Sequence, residues 1–199
     1  MNAAPAPSSA DWKLPSPRKL GIISLIVAES ALFTIFVVAY LFYINKSLSG
    51  PLPKDVLEFP LLSSLALFSS SATIFIAEKF LRVGKRAGFL LWWGLTIALG
   101  LYFLYCTGRE WSHLIVEKDL TICTNVFGTT FYSLVGLHAF HVIVGVLLLA
   151  GIWISSLHNA LLTGHVEHVE SISYYWHFVD CIWIIVLTVV YVLSVQATP

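Results

Sequence analysis

Long apolar runs separated by short polar clusters dominate the chain, at about 20–44, 59–80, 87–106, 126–155 and 172–195. A helix needs roughly 20 mostly apolar residues to cross a hydrocarbon core of about 30 Å. The pattern therefore predicts an all-α integral membrane bundle of five transmembrane helices. The connections agree with this reading. "NKSLSGPLPKDVLEFP" (45–60) carries prolines and a glycine that cannot continue a helix, and "RVGKRAG" (82–88) reads as a tight basic turn. Before the first run, residues 1–19 are rich in Pro, Ala and Ser and lack apolar periodicity, so a flexible cytoplasmic tail is expected there. Residues 196–199 form a short external tail. The first run exceeds the apolar core of a signal peptide and no small-residue cleavage pattern follows it, so it is expected to remain as an anchor.

Composition sharpens the class. Hydrophobic residues make up 58% of the chain and charged residues 11%, against roughly a quarter charged in soluble domains. The 11 basic and 11 acidic residues balance, which gives no signature of a nucleic-acid partner. Lys13, Arg18, Lys19, Lys79, Arg82, Lys85 and Arg86 fall on one side of the bundle, and only Lys46, Lys54, Arg109 and Lys118 on the other. That bias places the N-terminus in the cytoplasm and the C-terminus outside. Three cysteines cannot pair completely and none form a Cys-x-x-Cys motif. Cys106 and Cys123 close the segment "TGREWSHLIVEKDLTI" on one membrane face, where a bridge is one of two readings; Cys181, inside an apolar run, reads as a small hydrophobe.

Ionisable residues inside spans are costly and face a bundle interior. Here they are Glu29, His138, His141, His177 and Asp180. Helical rise places all five about 8–13 Å from the cytoplasmic boundary. His138 with His141, and His177 with Asp180, are spaced i,i+3, so each pair shares one helix face. The fourth and fifth spans are expected to meet there, helped by the small Gly136, Ala139 and Gly145, with interhelical hydrogen bonds offsetting desolvation. Four such side chains are also a ligand set for zinc or iron, and His138 facing His177 is an axial arrangement for a b-type haem. Against these stand the absence of Glu-x-x-His pairs and the bulk of Phe140, Trp176 and Phe178. Glu29, with no basic residue within a helical turn, reads as a structural hydrogen-bond donor or a proton relay. Nearer the surface, Glu78 and Arg82 are spaced i,i+4, and His165, His168 and Glu170 precede the fifth span. Arg82, His165, Glu170, Tyr174 and Trp176 are candidates for phospholipid headgroup contact.

Two segments carry a family resemblance. "VFGTTFYSLVGLHAFHVIVG" (126–145) followed by "YYWHFVDCIWIIVLTVVY" (174–191) resembles the last two helices of subunit III of the haem-copper respiratory oxidases. That family is marked by G-x-H-x-x-H-V-x-x-G and Y-W-H-F-V-D-x-x-W. "AESALFTIFVVAYLFY" (28–43) is similar to the helix that bears its membrane carboxylate, with Glu29 at that position and Ser30 after it. "LFSSSATIFIAEKFLRVGKR" (67–86) and "GREW" (108–111) also resemble family segments, the latter placing Glu110 beyond the third span.

The resemblance implies a five-helix member corresponding to the last five of seven helices in longer relatives. It implies a subunit without its own metal, cofactor or catalytic residue, in a bacterial inner membrane. Haem and copper would lie in partner subunits and structural phospholipids against this one. Partners would be oxidase subunits I and II, other small subunits or a respiratory supercomplex. The expected role is packing against subunit I, holding lipid, and supporting proton uptake and stability of a complex fed by cytochrome c or a quinol. A subunit III-like partner of nitric oxide reductase shares the helix motifs. An independent transporter is the alternative from another class, although five spans do not divide into equal inverted repeats.

Overall fold

A computed structural model describes residues 17–47, 49–158 and 166–197. The tail up to residue 16, the stretch 159–165 with the lipid candidate His165, and residues 198–199 lie outside the described residues. The helices are α1 (Pro17–Tyr43), α2 (Pro53–Val56), α3 (Leu61–Arg82), α4 (Arg86–Val116), α5 (Val126–Leu157), α6 (Val166–Leu187) and α7 (Ser194–Ala197), with a π-helical stretch, Thr188–Leu193, joining α6 to α7. Among the described residues there is no strand. Five helices are long and apolar enough to cross a membrane: α1, α3, α4, α5 and the rod from Glu167 to Ala197.

Two boundaries differ from the apolar pattern. The third span does not stop near residue 106 but runs on to Val116. Phe103, Thr107 and Leu114 continue one buried stripe at helical spacing, and Glu110, expected beyond the span, sits inside the same helix. The last span starts at Val166, six residues before the apolar run suggests. Extension of α4 also decides the cysteines. Cys106 is followed by about 15 Å of helix before the loop that carries Cys123, and both are free thiols, as is Cys181.

α5 and α6 form the centre of the bundle. α5 packs on α1, α4 and α6, α6 packs on α1, α3 and α5, and α3 against α4 closes the remaining side. The outer surface carries Leu62, Leu91, Leu147 and Ile35, whereas Ser63, Ser64, Ser70, Thr73, Thr96 and Thr107 are buried. This distribution suits lipid, which solvates aliphatic side chains but offers hydroxyls no partner.

Trp176 is the largest piece of the central contact. It is completely buried, in contrast to its expected place among the headgroups, and the neighbouring Tyr175 is also buried. The early start of α6 explains the difference, since ten residues of helix carry position 176 about 15 Å inward. Its ring lies against Gly145 of α5 and Gly100 of α4. A Cβ at Gly145 would stand 2.7 Å from Trp176 Cε3, and one at Gly100 2.8 Å from Trp176 Cη2. The indole N–H donates to Ser70 Oγ of α3 at 2.8 Å.

The ends are fixed by local rules. Gly84, at φ +73°, closes α3, with Lys85 N–H donating to Phe80 O and Gly84 N–H to Leu81 O, both at 2.9 Å. This is the Schellman arrangement, and it needs a residue free of Cβ strain. At the other side Asn125 caps α5, accepting from Gly128 N–H at 2.7 Å, and its amide donates to Ser49 O and Pro51 O of the first loop. Gly145→Ala is expected to lower stability by about 1–3 kcal/mol through overpacking on Trp176. Gly108→Ala, where a Cβ meets nothing within 4 Å, is expected to be neutral or stabilising by at most about 1 kcal/mol. Thermal unfolding of both variants in detergent micelles checks the pair.

Candidate functional site

The five ionisable residues of the spans do not meet as one cluster. His141 of α5 turns to α1: its Nε2 lies 3.1 Å from Glu29 Oε2, and its Nδ1 lies 2.8 Å from Leu137 O in its own helix. A carbonyl only accepts, so Nδ1 carries a proton. Glu29 therefore either donates as an acid to a neutral ring or faces an imidazolium as a carboxylate. In both arrangements the pair is neutral overall, which limits its cost in lipid.

His177 and Asp180 of α6 turn to α3. Ser71 Oγ lies 3.0 Å from His177 Nδ1 and hydrogen-bonds to Asp180 Oδ2. Asp180 Oδ1 is buried without a partner among the described residues. The sequence expectation that the two i,i+3 pairs bond to each other across the fourth and fifth spans is thus corrected. Helices α5 and α6 approach through Gly145 and Trp176, so the polar pairs are directed to the flanking helices α1 and α3. Between α5 and α6 themselves, Tyr175 Oη donates to His141 O at 3.3 Å.

His138 behaves as an aromatic ring. It is completely buried, both nitrogens lack hydrogen-bond partners among the described residues, and it stacks on Trp183 with centroids 4.9 Å apart and planes at 26°. Phe103 meets it edge-on at 5.8 Å. Stacking of this kind contributes about 0.5–1.5 kcal/mol beyond burial, and it anchors α5 to α6 without a hydrogen bond.

The serines of α3 carry much of the seam and were not legible as functional from hydropathy. Ser64 Oγ accepts from Trp183 Nε1 at 3.0 Å, as Ser70 does from Trp176. The signal was present as two serine clusters, 63–64 and 69–71, about seven residues apart, facing tryptophans seven apart on α6. A third polar group lies toward the other end of the rod. Tyr191, in the π-helical stretch, donates to Glu110 Oε1 at 2.8 Å, and Tyr40 donates to Ser194 Oγ at 3.0 Å.

Of the lipid candidates, Arg82 pairs with Glu170 at 3.1 Å while leaving 61% of its side chain exposed. Tyr174 is 48% exposed. Among the described residues no three His, Cys, Asp or Glu side chains gather as a metal-ligand group. Glu29→Gln, which keeps a donor toward His141, is expected to retain most of the stability. Glu29→Ala is expected to lose about 0.6–1.7 kcal/mol, the range for hydrogen bonds between membrane helices. Thermal unfolding in lipid nanodiscs reads both, and equal losses would identify the pair as imidazolium–carboxylate.

Residues 15–195 match the family described as cytochrome c oxidase subunit III. The chain is 35% identical over 187 residues to cytochrome c oxidase subunit 3 of Synechocystis sp., covering 90% of this chain and 77% of that protein. It is 33% identical over 183 residues to cytochrome c oxidase subunit 3 of Thermostichus vulcanus, covering 90% and 89%. It is also 30% identical over 177 residues to quinol oxidase subunit 3 of Bacillus subtilis, covering 88% and 86%. With a match across all five spans, and with its buried polar side chains joining helix to helix, the chain belongs to the cytochrome c oxidase subunit III family.

Proposed function

We infer that the chain acts as a non-catalytic subunit of a haem-copper terminal oxidase, in which electrons from cytochrome c or a quinol reduce oxygen to water in a partner subunit. The family match over residues 15–195 carries this reading. Its relatives include subunits of both cytochrome c oxidases and quinol oxidases. Haem and copper belong to the partners, and this chain packs against subunit I, beside subunit II and further small subunits or a respiratory supercomplex. It lies in a bacterial inner membrane with the N-terminus in the cytoplasm, supported by seven basic residues on that side against four.

In this role the buried polar pairs are fasteners. Glu29 with His141 and Asp180 with His177 and Ser71 hold α1 and α3 to the central helices, and His138 adds its stack on Trp183. The resulting slab supports proton uptake and stability by keeping the catalytic subunit and its lipids in register. Arg82, Glu170 and Tyr174 are the lipid-facing residues; an exposed guanidinium and an exposed phenol each suit a headgroup.

Copurification tests the assignment. The tagged chain, extracted in mild detergent, is expected to elute with haem-bearing subunits and with oxygen-reducing activity. Elution alone, with no haem absorbance in the fraction, would overturn it. Within the assembled complex His141→Ala or Asp180→Ala is expected to reduce the content of this subunit per haem; unchanged content together with unchanged proton uptake argues against the fastening role.

A further inference from the structure

A file of polar groups enters the seam between α3 and α6 from one end. At its mouth Arg82 contacts Glu170 at 3.1 Å and Glu78 at 4.0 Å. Glu78 on α3 and Glu170 on α6 stand about two helical turns from Ser71 and His177 on the same helix faces, and His177 Nδ1 lies 3.0 Å from Ser71 Oγ. The same hydroxyl bonds to Asp180 Oδ2. Ser71 is about 16 Å along α3 from Arg82, so the file reaches well into the bilayer. It runs from an Arg82 side chain that is 61% exposed to the buried Asp180, whose Oδ1 has no partner among the described residues.

A hydroxyl has one proton to give and lone pairs to accept with. Placed between a carboxyl and an imidazole nitrogen, Ser71 bonds to both only if one of them donates to it. When Asp180 is a carboxylate, Ser71 donates to Oδ2 and His177 Nδ1–H donates to Ser71. When Asp180 is protonated, it donates to Ser71, and Ser71 donates to a bare Nδ1. Conversion of the second state to the first breaks the Asp180 O–H bond as a new O–H bond forms on Ser71. The original Ser71 O–H bond breaks as an N–H bond forms on His177. Neutral acid and imidazole become carboxylate and imidazolium, two protons shift, one net proton crosses, and no heavy atom moves. The far nitrogen of His177 then releases its proton.

The geometry points to Asp180, Ser71 and His177 as a serine-bridged proton relay, a proton-binding site inside the bundle that exchanges with water by way of Glu78 and the Arg82–Glu170 end. Of the neighbouring hydroxyls, Ser70 is committed to Leu67 O and Trp176, and Thr73 to Ser70 O and Thr96, whereas Ser173 Oγ, one turn before His177 on α6, is buried without a hydrogen-bond partner among the described residues. The titratable groups of α1 and α5 that pack near α6 are Glu29, His141 and His138. The first two bond to each other, and among the described residues none of their hydrogen bonds reaches Asp180. The relay goes beyond the assembly role and requires only that the bundle be embedded in a membrane.

Infrared difference spectroscopy of the purified oxidase complex after transfer from H₂O to D₂O tests it. The carbonyl stretch of protonated Asp180 is identified by its loss in Asp180→Asn, and its rate of deuterium shift is followed. A positioned proton-transfer group contributes about 10²–10⁴-fold, so Ser71→Ala is expected to slow the shift at least about a hundredfold. Ser71→Thr, which keeps the hydroxyl, is expected to restore it. Exchange in Ser71→Ala at the wild-type rate overturns the relay, as does an Asp180→Asn spectrum that loses no carbonyl band at any pH. If Ser71→Ala does not assemble, His177→Gln supplies the same comparison: slowed exchange supports the relay and wild-type exchange overturns it. The amount of this subunit per haem, measured on the same samples, reports the assembly role separately.

Discussion

Trp176 is the contact on which the bundle depends. Its ring fills the space left by Gly100 on α4 and Gly145 on α5, and its N–H reaches Ser70 on α3. One side chain on α6 therefore touches three other spans. In lipid this matters more than it would in water, because apolar surface gains little from leaving one hydrocarbon environment for another. Shape fit and hydrogen bonding must hold the helices together. A flat ring between two glycines supplies the first and an indole donor to a buried hydroxyl supplies the second. Trp183 repeats the device one heptad along, donating to Ser64 and stacking on His138.

The same constraint explains how the ionisable groups are placed. An isolated charge in the bilayer is costly, and this chain avoids one at each site by setting an acid opposite an imidazole or a hydroxyl. Glu29 with His141 is neutral in either proton arrangement. Asp180 shares a hydroxyl with His177. Trp93 and Trp153 extend the principle to α4 and α5, donating to Leu149 O and Leu90 O across the two helices.

The five spans were legible because apolar runs of membrane length have few competing explanations. Residue identity at the buried positions was legible too: Glu29, His138, His141, His177 and Asp180 stood out as polar groups in apolar runs. What hydropathy could not supply was direction. An i,i+3 pair defines a face, but the neighbour that face meets depends on how closely the backbones approach, and that was set by Gly145 and Trp176. Ser71 gives no signal in the sequence because serine is common in membrane helices, where its hydroxyl can bond to its own backbone. The extension of α4 is hidden by the charged string from Arg109 to Lys118, because the buried stripe, Thr107 before the string and Leu114 within it, is too sparse to lift the local hydropathy.

The attachment of α1 shows how these devices act together. Most of its large apolar side chains, among them Val27, Ile35, Val38 and Phe42, face outward. Its orientation therefore rests on the buried Phe33, whose ring packs against His141 and Phe178, and on polar bonds at separate depths: Glu29 to His141, Tyr40 to Ser194, and Asn45 to Ala197 O. The last two partners lie at or beyond the end of the π-helical stretch Thr188–Leu193. A π-bulge inserts one residue into an α-helix and turns everything after it by about 100°. Without that insertion Ser194 would leave the face that meets Tyr40, while Tyr191 within the stretch would lose its approach to Glu110 on α4. A single local widening of the last span thus lets one rod serve α4 and α1 at the same level. The rod that carries Trp176 thereby also fixes the angle at which the outermost helix stands.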